Sequence, residues 1–221
     1  MTMHGNLLML GDSFCEHKQH WPAWCAEALG YTTAQVHVYG QPGASWWPIR
    51  DHLMYCRKSK KDFMRDLSQV IIIHPNPQRI ITQNTLIMAN NAIVLPVIFN
   101  NTQLEEPQIA SSLYYKYIND REFHAWAERN WFRELNELIG TVPVLHLFTT
   151  ATSGSNADIL NGAKVLAPLT ELSLTVSLPR TDRNIKTPNH FTLAHNRVFA
   201  QQVTEMVQGR RVDFDATAFR Q

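Results

Sequence analysis

The segment NLLMLGDSF, residues 6–14, decides the fold of this chain. Residues 6–10 form a short and mostly apolar run, which the turn-forming pair Gly11 and Asp12 ends abruptly. A run of this length between turn residues is typical of a strand that is buried on both faces. The segment therefore predicts the first strand of a parallel sheet, followed directly by the polar side chains of Asp12 and Ser13.

Similar patterns recur along the chain and alternate between strand and helix. Apolar runs predict four more strands, over residues 36–39, 70–73, 94–99 and 142–148. Apolar side chains three or four positions apart predict helices over residues 21–30, 120–139 and 193–207. Strands separated by helices or long connections indicate an α/β sandwich around a mostly parallel central sheet.

Composition and charge limit the function classes. The chain has 221 residues and is expected to form one domain, because 44% hydrophobic against 18% charged residues supply a buried core. Lysine and arginine total 20 against 19 acidic residues, so no general attraction to nucleic acid or to a membrane surface is expected. The basic cluster at residues 57–61 has acidic neighbours, which favours a solvated helix end over a phosphate-binding patch.

The sequence indicates neither a targeting segment nor a metal site. The N-terminal segment has no basic leader, and the longest apolar stretch, residues 92–99, is far shorter than the ~20 residues that span a bilayer. We therefore expect a cytoplasmic protein. Three widely spaced cysteines without a CxxC pair argue against disulfides and structural zinc. The pairs His17/His20 and His190/His195 have no acidic or cysteine partner at a supporting spacing, so neither a metal nor another cofactor is expected. Nothing in the pattern indicates the oligomeric state.

Polar residues follow the predicted strands at positions where a site is expected. Ligands of an open parallel sheet bind beyond the carboxyl ends of its strands. Ser13 follows the first strand, a turn over residues 40–45 follows the second, and Asn76 follows the third. His190 immediately precedes the last predicted helix. A serine, a base and hydrogen-bond donors for an oxyanion are the groups that acyl transfer requires.

In these four blocks the chain resembles the SGNH, or GDSL-type, hydrolases, a family of esterases, lipases and carbohydrate deacetylases. The resemblance implies a flavodoxin-like three-layer α/β/α sandwich. Gly11-Asp12-Ser13 matches the family's first block, which implies that Ser13 is the nucleophile. The second and third blocks imply that the N–H groups of Ser13 and Gly43 and the side chain of Asn76 stabilise the oxyanion. The last block implies that His190 is the general base.

Two blocks depart from the family pattern. Only Asn76 of the family's Gly-x-Asn-Asp block is present, and Thr187 stands where the family's Asp-x-x-His block has its aspartate. Three arrangements are open for the acid of the triad. Asp182 supplies a carboxylate, Asn189 or a backbone carbonyl orients the imidazole of a Ser-His dyad, or the site binds without turnover. Residues 80–120 are predicted to be an insertion within the single domain.

Three further residues are candidates for substrate binding, each with a structural alternative. Asp12 either contacts substrate or organises its own loop. Arg79 either clamps an anionic group or forms a structural ion pair. Trp46, with the nearby aromatic residues Trp47, Tyr114, Tyr115 and Tyr117, either stacks on sugar rings or packs in the core or an interface.

The resemblance implies an esterase that removes an O-acetyl or other short acyl group from a small-molecule or carbohydrate ester. The blocks GDSF and PGAS, with Arg79 shortly after the third strand, are also similar to SGNH-like proteins of tailed phages. A catalytically weak or inactive binding or structural protein of this fold is the alternative. In the phage case it is expected in the host cytoplasm or the virion.

Overall fold

The computed structural model describes residues 5–41, 44–77, 79, 113–114, 117–174 and 191–219. Within them, five strands form one parallel sheet: β1 Asn6–Gly11, β2 Val36–Gly40, β3 Leu67–His74, β4 Val144–Phe148 and β5 Ala163–Val165. The strand order is β2-β1-β3-β4-β5, which is the flavodoxin-like order of doubly wound folds. Four of the predicted strands are confirmed, whereas the predicted strand at residues 94–99 lies outside the described residues.

Helices pack on both faces of this sheet. The helices of the described residues are α1 Trp21–Ala28, α2 Trp46–Ser59, α3 Lys61–Arg65, α4 Arg121–Ile139, α5 Leu169–Leu174 and α6 Leu193–Val207. One face is covered by α1 and α6 and the other by α2 and α4, so the fold is a three-layer α/β/α sandwich. None of these described helices has the length and apolar character needed to cross a bilayer.

The central strands are buried on both faces, as their continuous apolar sequences predict. In β1, Leu7 and Met9 pack under α1 and α6, while Leu8 and Leu10 pack under α2. All four side chains have no solvent exposure. Because residues 7–10 of β1 are all apolar, the next polar side chains appear only where this strand ends, at the carboxyl edge of the sheet.

The basic cluster at residues 57–61 lies where α2 ends and α3 begins. Arg57 and Lys58 occupy the last turn of α2, and both side chains are exposed. Positive charges at this position interact favourably with the carboxyl end of a helix. The prediction of a solvated helix end is therefore confirmed.

One buried carboxyl group makes the stability of the fold depend on pH. Glu128 of α4 is only 3% exposed, and its Oε2 accepts a hydrogen bond from Asn156 Nδ2 at 2.5 Å. Burial raises the pKa of Glu128 from 4.5 to about 7, against the smaller lowering effect of that hydrogen bond. The folded protein therefore holds a proton on Glu128 at pH values where the unfolded chain has already lost it.

The effect of replacing Glu128 with glutamine on the free energy of unfolding is expected to depend on pH. It should be more favourable above pH 7 than at pH 4. The ionisation penalty of Glu128 is absent below its unfolded pKa and grows as the pH rises from 4.5 to about 7. Urea unfolding at pH 4 and pH 8 measures the free-energy difference between Glu128→Gln and the wild type. That difference should shift by about 2–3 kcal/mol in favour of the variant. A difference that does not change with pH would contradict the assignment.

Candidate functional site

Ser13 lies at the carboxyl end of β1, where the chain turns over the edge of the sheet. It begins a short 3₁₀ turn, Ser13–Cys15, and its side chain is half-buried. Among the described residues, none forms a hydrogen bond with its hydroxyl group. Because β1 has β2 on one side and β3 on the other, this is the point where the strand order reverses. Doubly wound folds place their ligands at such a point.

The buried carboxylate of Asp12 organises this turn. Its Oδ1 accepts a hydrogen bond from the backbone N–H of Phe14 at 3.1 Å. Its Oδ2 forms an ion pair with Nη1 of Arg79 at 2.8 Å, and the same guanidinium nitrogen donates to the carbonyl of Ala44 at 2.7 Å. Asp12 has no solvent exposure. Both side chains thus hold loops together, which agrees with the structural alternative stated for each of them.

Two glycines give the turn the room it needs. Gly11 and Gly40 are register partners at the ends of β1 and β2. A Cβ atom on Gly40 would overlap the backbone carbonyl of Cys15, and one on Gly11 would lie 2.7 Å from Cys15 Sγ. The backbone of the turn that Ser13 begins therefore lies directly on the ends of the two strands.

A ring contact brings together the two ends of the chain that carry the predicted catalytic pair. Phe14, which follows Ser13, packs against Phe191 with ring centroids 5.3 Å apart. Phe191 follows His190 and also packs on Phe199 of α6, at 4.9 Å. His190 itself lies outside the described residues, as do Gly43, Asp182, Thr187 and Asn189.

Asn76 lies at the same edge of the sheet as Ser13. It follows β3, which pairs with β1 through Leu10 and Ile72, and its side chain is half-buried. The carboxyl ends of neighbouring parallel strands meet at one edge, so Asn76 and Ser13 share it. The structure therefore agrees with the predicted place of Asn76, while its role as an oxyanion donor stays a prediction.

His74, the last residue of β3, is buried in the core. His74 is buried among the rings of Phe132 and Phe148, each with its centroid 4.9 Å away. His146 Nε2 donates to the carbonyl of Asn161 at 2.8 Å, so its Nδ1 accepts from His74 Nε2 at 2.9 Å. Burial lowers the pKa of both histidines, that of His146 to about 4. His74 is thus a neutral core residue.

An aromatic cavity opens between α2 and α4. Its volume is about 540 Å³, and the residues that line it are Trp46, Trp47, Arg50, Tyr114, Phe123, His124, Trp126, Ala127, Asn130, Trp131 and Glu134. Arg50 donates two hydrogen bonds to the Glu134 carboxylate, both at 2.6 Å, and lies 5.0 Å from the ring centre of Trp47. Trp46 stacks on Trp131 at 6.0 Å. Trp46 therefore packs against the core and lines a cavity; Tyr115 lies outside the described residues.

A second polar cluster has no counterpart in the sequence predictions. His37 of β2 meets His52 and Cys56 of α2, with the ligand atoms of all three within 4.8 Å of one another. The sequence held a signal for two of its three residues, because His52 and Cys56 are four residues apart and share a helix face. His37 could not be added from sequence, since its position depends on how α2 packs on β2.

Comparisons of the chain with protein-family models, with curated proteins and with solved structures give no match. The resemblance to SGNH hydrolases therefore rests on the sequence blocks alone.

Replacing Gly40 with alanine is expected to destabilise the protein by about 1–3 kcal/mol, because the added methyl group must displace the backbone of the Ser13 turn. Gly154→Ala is the matched control, since its Cβ would meet side-chain atoms only at 3.6 Å or more. It should change stability by less than about 0.5 kcal/mol. Urea unfolding of both variants makes the comparison. Equal losses of stability in Gly40→Ala and Gly154→Ala would show that the Ser13 turn does not pack closely against Gly40.

Removing the cation from the buried ion pair is expected to be costly. Arg79→Met should lower the free energy of unfolding by about 3–5 kcal/mol, because Asp12 would be left buried without its partner. The double variant Asp12→Asn/Arg79→Met removes both charges and should recover part of this loss. Chemical denaturation of the three proteins measures the coupling. If the free energy of unfolding of Arg79→Met lay within about 1 kcal/mol of the wild-type value, this would contradict the importance of the ion pair.

Proposed function

We propose that this protein is a serine hydrolase that cleaves an ester bond, with Ser13 as the nucleophile and His190 as the general base. The observation that carries the proposal is the packing of Phe14 against Phe191 at 5.3 Å. Each phenylalanine directly follows one of the two residues, and adjacent Cα atoms are only about 3.8 Å apart. Two segments that are far apart in the chain are thus in contact one residue after each of the two, which supports the proposal.

The reaction follows the usual course of acyl transfer through a serine. The Ser13 hydroxyl oxygen attacks the ester carbonyl carbon while His190 takes its proton. The backbone N–H groups of Ser13 and Gly43 and the amide of Asn76 stabilise the negative oxygen of the tetrahedral intermediate. His190 then protonates the leaving alcohol. Water, deprotonated by His190, cleaves the acyl-enzyme, and the proton returns to Ser13.

Asp12 is not a candidate for the acid of the triad. Its carboxylate is committed to Arg79 and to the backbone N–H of Phe14. Asp182, Asn189 and a backbone carbonyl therefore remain the alternatives for orienting His190, as the sequence left them. A dyad without a carboxylate is compatible with hydrolysis, because loss of the triad acid elsewhere costs about 10⁴-fold and leaves measurable catalysis.

The substrate is an O-acetyl or other short acyl ester, borne by a small molecule or a carbohydrate. The support for a carbohydrate is the aromatic cavity between α2 and α4, whose lining does not include Ser13. Trp47 and Trp126 at the cavity are 39% and 55% exposed, and the ion pair of Arg50 with Glu134 lies beside them. Flat rings next to fixed polar groups suit a ligand with one apolar and one hydroxylated face.

The same cavity favours a second candidate function, which is carbohydrate binding without turnover. The cavity lies on the α2 and α4 face, whereas Phe14 and Phe191 pack in the core under α1 and α6. A ligand can therefore occupy the cavity whether or not Ser13 reacts. In this case the protein is the binding or structural member of the fold, for example a component of a phage particle.

A fluorophosphonate probe and p-nitrophenyl acetate distinguish the two functions. The wild type should be labelled on the peptide that contains Ser13 and should hydrolyse the ester. Ser13→Ala should lose labelling, and its turnover should fall by at least about 10³-fold; His190→Ala should slow both reactions. Ser59→Ala, an exposed serine at the end of α2, is the matched control and should behave like the wild type.

A folded wild type that is neither labelled nor active would contradict the hydrolase proposal. Quenching of tryptophan fluorescence by oligosaccharides, lost in Trp126→Ala, would then support the binding function.

A further inference from the structure

The edge strand β2 and helix α2 bring two imidazoles and a thiol together. Side chains of β2 alternate, so Val36 and Val38 join the core under α1 and α6 while His37 faces α2. On α2, His52 and Cys56 are one turn apart and point at His37. Cys56 is fully buried, and both histidines are half-buried. The cluster is therefore open to solvent on one side and closed on the other.

The hydrogen bonds of the cluster define which nitrogen carries a proton. His37 Nε2 lies 2.7 Å from His52 Nε2, with the two rings within 10° of coplanarity and their centroids 5.0 Å apart. Lys60 donates to His37 Nδ1 at 3.2 Å, so that nitrogen accepts. His37 therefore carries its proton on Nε2 and donates it to His52 Nε2. One proton thus occupies the space between two nitrogen atoms that can both bind a metal.

The surroundings hold the ligands in place. Tyr39 stacks on His52 with the ring centroids 4.0 Å apart, and its hydroxyl donates to Gln41 at 2.6 Å. Burial, followed by neighbouring positive charge, lowers the pKa of His37 and of His52 to about 4.

We propose that His37, His52 and Cys56 form a Zn²⁺ site with water as the fourth ligand. Two imidazoles and a thiolate match the tetrahedral preference of zinc, with Zn–N near 2.0–2.1 Å and Zn–S near 2.3 Å. These lengths separate the two nitrogens by roughly 3.3 Å, so the histidines must move apart by roughly 0.6 Å. Three protein ligands and an open position are typical of zinc sites that bind a further molecule.

Proton balance identifies Lys60 as the group that opposes the metal. On binding, Cys56 releases its proton to solvent, and the proton of His37 moves from Nε2 to Nδ1. Lys60 must then withdraw, because its ammonium group can no longer donate to Nδ1. Its charge also repels a dication, as does that of Lys18, which acts on the same two histidines. Replacing Lys60 with glutamine removes the charge and supplies an oxygen that accepts from Nδ1–H.

Titration of the full-length, chelator-treated protein tests the site. Co²⁺ should bind with one equivalent and give a thiolate-to-metal charge-transfer band in the near ultraviolet, which Zn²⁺ should displace. Cys56→Ser should abolish the band, and His52→Ala should weaken Zn²⁺ binding at least about tenfold, measured against a chromophoric chelator. Lys60→Gln should tighten binding severalfold, a gain that loss of folding cannot mimic.

Two controls separate this site from other histidines and from the hydrolase proposal. The double variant His17→Ala/His20→Ala removes another close pair, with centroids 5.0 Å apart, and should keep the stoichiometry and the band. Ser13→Ala should bind Zn²⁺ like the wild type. Absence of one-equivalent binding, or a charge-transfer band that survives in Cys56→Ser, would overturn the proposal.

Discussion

The carboxylate of Asp12 is buried at the carboxyl end of β1, and the geometry around Ser13 depends on its contacts. One oxygen holds the N–H of Phe14, and the other holds Arg79, which in turn binds the carbonyl of Ala44. The segments that follow β1, follow β3 and precede α2 are thereby held together at one buried carboxylate. A buried ion pair of this kind adds little net stability over apolar residues, but each partner is costly to lose alone. The ion pair of Asp12 with Arg79 holds these segments together at the carboxyl edge of the sheet.

Much of the fold follows from local sequence pattern. The buried strands β1 and β3 contain continuous apolar runs, so their positions are predictable. The positions of α4 and α6 are predictable because their apolar residues recur at helical spacing. The sequence pattern did not predict β5, α3 or α5, and it predicted only the basic end of α2. β5 has only three residues and, among the described strands, pairs with β4 alone. α2 begins with two tryptophans and a proline, and its buried residues Ile49, Leu53 and Cys56 are few among exposed charges.

The candidate site is less predictable because its contacts join distant parts of the chain. The position of Ser13 follows from a strand that ends in a turn, which is local information. The pairing of Asp12 with Arg79 spans 67 residues, and that of Phe14 with Phe191 depends on how α6 packs. The cluster of His37, His52 and Cys56 likewise needs β2 and α2 in contact. Sequence pattern supplies the residue types, and tertiary packing decides which of them meet.

We propose that the hydroxyl of Ser13 and the imidazole of His190 form one catalytic unit. The most direct measurement is the distance from Ser13 Oγ to the nearer ring nitrogen of His190 in a crystal structure of the wild-type protein. A value of roughly 2.6–3.2 Å, the hydrogen-bond range of a nucleophile and its base, is the result that we predict. A separation of more than about twice that distance, with the imidazole directed away from Ser13, would contradict it.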